Sequence, residues 1–339
     1  MKSAARSLAT PRMLLAAARP ARRAVRALLL LLSLALAAST VEVHVEPGGE
    51  WAGQVEAAGA GVVVFFAPGR YGGCSTGGLK LANGVALVGR AGAAVTVIDC
   101  EGAGRHFAVK DGDSVRIEGL TLTGGASAGV AGNSSEGGCV LVAGPGGSVA
   151  VADSVFSNCS AATRGGAIAV RGSAALNISR SNFTGNRAGE GGGAIYAAAS
   201  TLNVSSSRFE WNSAGTRGGA VAVTERAVLD LSDTLFESNR VLVAEHYETG
   251  VAGGGAIFAH DGCSTRLSGR SELIDNTVPS STETQGTGGG VGLWAGSTLL
   301  VEGPAMFLRN SAGYGGAVHA FDRSRSGPHK PAATSDAPR

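Results

Sequence analysis

The sequence predicts an all-β fold, a single-stranded parallel β-helix of roughly ten coils with about 26 residues per coil. Three observations carry this. A Gly-Gly-Ala-Ile/Val block recurs, beginning at Gly165, Gly192, Gly218, Gly254 and Gly315, with variants at Gly137-Gly138-Cys139-Val140 and Gly289-Gly290-Val291. A Phe-x-x-Asn block follows each pair by 17 to 19 positions: Phe183/Asn186, Phe209/Asn212, Phe236/Asn239 and Phe307/Asn310, with degenerate copies at Phe156/Cys159 and Leu273/Asn276. Between the blocks apolar residues alternate, as in Leu176-Asn177-Ile178, Leu202-Asn203-Val204 and Leu229-Asp230-Leu231. Period two means strands, and a unit this short cannot bury its inner face without stacking on a neighbour.

Composition agrees. Gly numbers 54 of 339 residues and Pro only 10, which excludes collagen-like and Pro-rich disordered chains. Hydrophobic residues reach 44%, enough for a sizeable core. The repeat accounts for the glycine, because a coil must turn several times per period.

The elements follow in order. Residues 1–26 carry seven basic side chains and no acid, 27–38 are apolar, and Ala35-Leu36-Ala37 is a small-x-small site. The apolar run is shorter than the ~20 residues a membrane span needs. Residues 1–37 are therefore read as a cleaved secretory signal, which places the protein outside the cell or on its surface. Organelle targeting by the basic leader is the alternative. Removing seven of the 28 basic residues turns the formal charge of +2 mildly acidic, against a nucleic-acid partner, and leaves no membrane span. The β-helix then occupies 45–321. Val62–Tyr71 and Val85–Gly89 read as opening strands, and Gly104–Val109 with Leu122 as a weak early repeat. Residues 41–60 give little sign of a capping helix. The polar, Pro-containing segment 322–339 is expected to be disordered.

Within a coil, the Phe positions are expected to stack inside the core. The Asn positions are expected at a sharp turn, tolerating left-handed backbone and bonding the next coil's amide. Asn177, Asn203 and Asp230 each stand six positions before a repeat Phe, which aligns them outward on consecutive coils as a polar ladder. The step from the motif Asn to the next Gly-Gly is 5 or 6 positions in four places, but 15 after Asn239 and 13 after Asn276. The equivalent gap after Leu122 is also long; all three expansions fall at the same turn, so the loops project from one edge, and 240–253 and 277–288, in neighbouring coils, lie side by side as candidate binding loops. Their contact residues would be Glu245, His246, Tyr247, Glu248, Thr282, Glu283 and Gln285.

These blocks resemble the repeats of the chlamydial polymorphic outer membrane proteins, most closely from Phe183 to Tyr196. The segment Val62–Gly125 is similar to the N-terminal coils of the pectate-lyase-like superfamily of right-handed β-helices. The resemblance implies right-handed winding and surface-exposed adhesins. The wider superfamily also holds polysaccharide lyases, glycosidases and epimerases.

Catalytic chemistry is not legible. Glycosidases need paired carboxylates, and the chain has neither an Asp-Asp pair nor the Asn-Thr-Asp and Gly-His-Gly blocks of polygalacturonases. Arg116-Ile117-Glu118 reads as a salt-bridged surface strand, and His260 and His319 are offset within their coils, so no metal site or cofactor is expected. The resulting expectation is a non-catalytic adhesion, binding or wall-structural module, whose partner is an extracellular polysaccharide or cell-surface protein. The alternative is a carbohydrate-active enzyme. Cys74 and Cys100 stand one period apart and could be bridged neighbours; Cys139–Cys159 is a second candidate pair, which leaves Cys263. Sequons begin at Asn133, Asn158, Asn177, Asn182 and Asn203; of these, Asn133, Asn177, Asn182 and Asn203 are the candidate glycan sites.

Overall fold

The computed structural model describes residues 41–110, 112–127, 135–242, 252–280 and 286–321. Within them the chain winds as a parallel β-helix. Sheet A has ten strands, from Glu42–Val45 to Thr298–Glu302. Sheet B has nine, from Gly69–Tyr71 to Met306–Leu308, and sheet C nine, from Leu79–Leu81 to Val318–Phe321. Four two-residue strands, from Ser160–Ala161 to Arg240–Val241, form sheet D. One coil runs Ala175–Ser179 (A), Asn182–Thr184 (B), Arg187–Ala188 (D) and Ile195–Ala198 (C). Each strand pairs in parallel with its equivalent one coil away, Leu176 with Leu202 and Phe183 with Phe209. The first strand begins at Glu42, three residues ahead of the sequence boundary.

The inner residues form one continuous core. Phe156, Phe183, Phe209 and Phe236 stack with centroids 4.8–4.9 Å apart and planes within 9° of parallel. Leu122 and Leu273 continue that column above and below. Asn186, Asn212, Asn239 and Asn276 are fully buried and Asn310 half-buried, and the five pass Nδ2–H···Oδ1 bonds of 2.8–3.0 Å from coil to coil. The left-handed residue is not the Asn itself. It is the residue before it: Gly185 (φ 66°), Trp211 (58°), Ser238 (55°), Asp275 (54°) and Arg309 (51°). The Asn is needed instead because its amide offers both a donor and an acceptor where the coil bends and the ladder's backbone groups lose their strand partners.

The two glycines of each block do different work. The first adopts positive φ, as in Gly192 (66°). The second lies against the next coil's backbone: a Cβ on Gly193 would stand 2.0 Å from the Gly219 carbonyl oxygen. One block shifts by a residue from the sequence reading. Val291 pairs with Ile257 and Val318, so the equivalent pair is Gly288-Gly289, and Gly290 takes the Ala position.

A helix, α1 (Trp51–Ala57), covers the first coil, contrary to the sequence expectation. It buries only Trp51 and Val55, one turn apart, which is too short a stripe to show as periodicity. Trp51 packs edge-on against Phe66 and Tyr71, and its indole N–H donates to the Gly72 carbonyl at 2.7 Å. No helix among the described residues is long and apolar enough to cross a membrane.

Candidate functional site

The outer face of sheet A carries the polar ladder. Register places Asn177 beside Asn203 and Asn203 beside Asp230, because equivalent residues of parallel in-register strands must face the same way. Asn203 Nδ2 donates to Asn177 Oδ1 at 2.8 Å. A second outward column, Ser179, Ser205, Ser232 and Ser268, runs alongside. Together they floor an open groove of about 600 Å³. Its ends are charged. Arg116 pairs with Glu118 at 2.5 Å at one end; at the other, Arg266 bridges Asp230 (3.2 Å) and Glu302 (3.7 Å). Arg180, on the wall, is held by Asp153 at 2.6 Å, and the hydrogen bond from this guanidinium holds the Asp153 carboxyl below its ordinary range. The floor is therefore amides and hydroxyls that can donate and accept at once, and the ionised groups are already paired. Such a surface suits hydroxyl-rich ligands.

The loop residues Glu245, His246, Tyr247, Glu248, Thr282, Glu283 and Gln285 lie outside the described residues, as does Asn133. The bases of the two loops meet: Arg240 bridges Thr277, Gly253 bridges Thr287, and Val241, Ala252 and Val278 bury one another. Asn182 and Asn177 are exposed and Asn203 half-buried, and all three point away from the core. Cys74 is disulfide-bonded to Cys100 and Cys139 to Cys159; Cys263 is a buried free thiol.

Sequence reasoning missed a second cleft, on the outer face of sheet C. Before the Gly-Gly pairs the chain alternates Arg164, Gly191, Arg217 and Gly253, one per coil. Five residues further on it alternates Ala169, Tyr196, Ala222 and Phe258. Each coil thus pairs a large residue with a small one, and each arginine leans into its neighbour's space. The Arg164 guanidinium lies 5.2 Å from the Tyr196 ring centroid and that of Arg217 5.7 Å from Phe258. Both rings are buried beneath these arms. A cleft of about 270 Å³ remains, lined by Glu190, Thr224, Glu225, His260 and Asp261. Glu190 is tied to Arg164 at 2.9 Å and His260 Nδ1 to Asp261 at 2.9 Å. Burial, followed by the neighbouring Arg164, pulls the Arg217 guanidinium below its ordinary value. The signal was present in the sequence as Arg-Gly-Gly-Ala-x-Ala alternating with Gly-Gly-Gly-Ala-Ile-Tyr/Phe.

No curated protein sequence matches the chain. A family model described as the right handed beta helix region matches residues 83–305, which cover the groove on sheet A, the cleft on sheet C and most of the stacked coils. The chain belongs to the right-handed β-helix family.

Proposed function

We propose that this β-helix is a secreted or surface-exposed binding module that presents the sheet A groove to an extracellular polysaccharide, without catalysis of its own. One observation carries the reading: Asn177, Asn203 and Asp230 stand in register above a parallel serine column, with ion pairs at both ends. Equivalent groups recur once per coil, about 4.8 Å apart, so a chain of similar sugar units meets similar partners along the stack. The carboxylates at the groove ends are each held by arginine, which favours binding over proton transfer. The basic leader and the resemblance to chlamydial surface adhesins support the same reading.

The test is glycan-array binding of the wild type against the triple variant Asn177→Ala/Asn203→Ala/Asp230→Ala. Both should be made in a host without N-glycosylation, since Asn177 and Asn203 begin sequons. The variant is expected to lose about tenfold or more, from the loss of two or three hydrogen bonds at about 0.5–1.5 kcal/mol each. Equal binding removes the groove as the ligand surface.

A further inference from the structure

The early coils enclose a cluster remote in role from the groove. The Cys74–Cys100 disulfide joins two coils with a Cα separation of 5.0 Å. One ring nitrogen of His106 and the sulfurs of both cysteines lie within 4.8 Å of one another. His106 is only 1% exposed. Its Nε2 stands 2.9 Å from the Ile98 carbonyl oxygen. A carbonyl can only accept, so Nε2 carries the proton and Nδ1 presents a lone pair. That Nδ1 is buried and has no hydrogen-bond partner. Gly125 packs closely against it: a Cβ there would stand 2.8 Å from Nδ1 and 2.5 Å from Cys139 Sγ.

A buried imidazole with one nitrogen spent on a backbone carbonyl, the other unpaired, and its ring within reach of two sulfurs has the arrangement of a metal-ligating histidine. We propose that Cys74, Cys100 and His106 form a Cys₂His site for a divalent cation of the zinc class, a site that the Cys74–Cys100 disulfide closes and its reduction opens. The three ligands come from different segments, which is why the scattered histidines of the linear sequence gave no hint of it.

The chemistry balances with a dithiol as reductant. Its thiolate attacks Cys74 Sγ, the half-buried end of the bond, and Cys100 leaves as thiolate. The second reductant thiol then displaces Cys74 and forms the reductant's own disulfide, so two electrons pass to the protein. The cation holds both sulfurs as thiolates, and their protons go to solvent. Two thiolates neutralise a divalent ion, so the burial of the site adds no net charge to the core. The sulfurs must part to about 3.8 Å to make two bonds of ~2.3 Å at tetrahedral geometry. Rotation of the side chains across the 5.0 Å Cα gap allows this. Water reaching the Cys74 side supplies the fourth ligand. Cys139 and Cys159 are both fully buried, so their bond is shielded from the same reductant.

The test uses the full chain with cobalt(II) and zinc(II) as probes, before and after reduction by a phosphine, which replaces the dithiol because dithiols bind these ions. The reduced wild type is expected to take up one cobalt per chain with intense thiolate-to-metal absorption, and zinc should displace it. The oxidised protein should show no such absorption. Cys74→Ser and His106→Gln should each weaken binding about tenfold or more, whereas Cys139→Ser/Cys159→Ser should keep it. The Gln amide preserves a donor for Ile98; if that variant fails to fold by circular dichroism, Cys74→Ser at its half-buried position decides alone. The proposal is overturned if the reduced chain shows no thiolate band, if the oxidised chain binds equally well, or if Cys74→Ser binds like the wild type.

Discussion

Asn212→Ala should be among the most damaging small changes in the middle coils. Its Oδ1 accepts from both the backbone N–H and the Nδ2 of Asn186, each at 3.0 Å. Its Nδ2 donates to the Phe183 carbonyl at 2.9 Å and to Asn239 Oδ1 at 3.0 Å. The residue is 0% exposed, so no water replaces these partners. Truncation leaves the Asn186 N–H buried without an acceptor, at about 1–3 kcal/mol, and removes three further bonds at about 0.5–1.5 kcal/mol each. The loss should be about 2.5–7.5 kcal/mol. The comparison is Asn203→Ala, which also breaks an inter-coil amide bond but on the outer face, where water competes; it should cost under about 1 kcal/mol. Urea unfolding followed by far-ultraviolet circular dichroism, read as a midpoint shift at unchanged slope, measures both. If the two variants fall within about 1 kcal/mol of each other, burial is not what makes the inner ladder matter and the reasoning is refuted.

Two more predictions follow from the same coils. Phe209→Leu should cost no more than about 1.5 kcal/mol, because Leu273 already fills the same column one coil beyond Phe236, whereas Phe209→Ala should cost about 3–5 kcal/mol; equal thermal shifts would argue against a filled stack. Burial pushes the Cys263 thiol up to about 11, from an ordinary 9.0, and the thiol donates to the His260 carbonyl. The unfolded thiol therefore deprotonates first, so its contribution to stability is intact below pH 9 and is lost as pH rises toward 11. At neutral pH a thiol reagent should titrate no cysteine in the native chain and one after unfolding without reductant; rapid native labelling would show Cys263 to be accessible.

Much of the architecture was legible because a solenoid repeats its local rules. Every coil needs a left-handed turn, a backbone contact with the next coil, an inner aromatic and an inner amide, so the same residues return at the same offsets. The places where reading failed are those where the repeat is broken or where a residue's partner is set by stacking. Helix α1 occurs once and buries two side chains. The Gly-Gly pair at Gly289 is shifted by one because Gly290 replaces the usual Ala. The left-handed residue before each motif Asn varies among Gly, Trp, Ser, Asp and Arg, so no letter marks it. The arginine–aromatic alternation of sheet C was visible letter by letter, yet it has meaning only when coils are laid side by side.

The coil length, the inward and outward alternation and the alignment of Asn177, Asn203 and Asp230 are all readable from the order of residues, because a period of two within strands and a repeat between coils leave one consistent register. What surrounds each residue is set by the stacking of coils. It turned equal-looking asparagines into a dry inner ladder and a wet outer one, set Arg164 over Tyr196, and brought His106 to the Cys74–Cys100 bond. Those outcomes depend on distance and exposure across coils, and neither quantity is written in the order of residues along one coil.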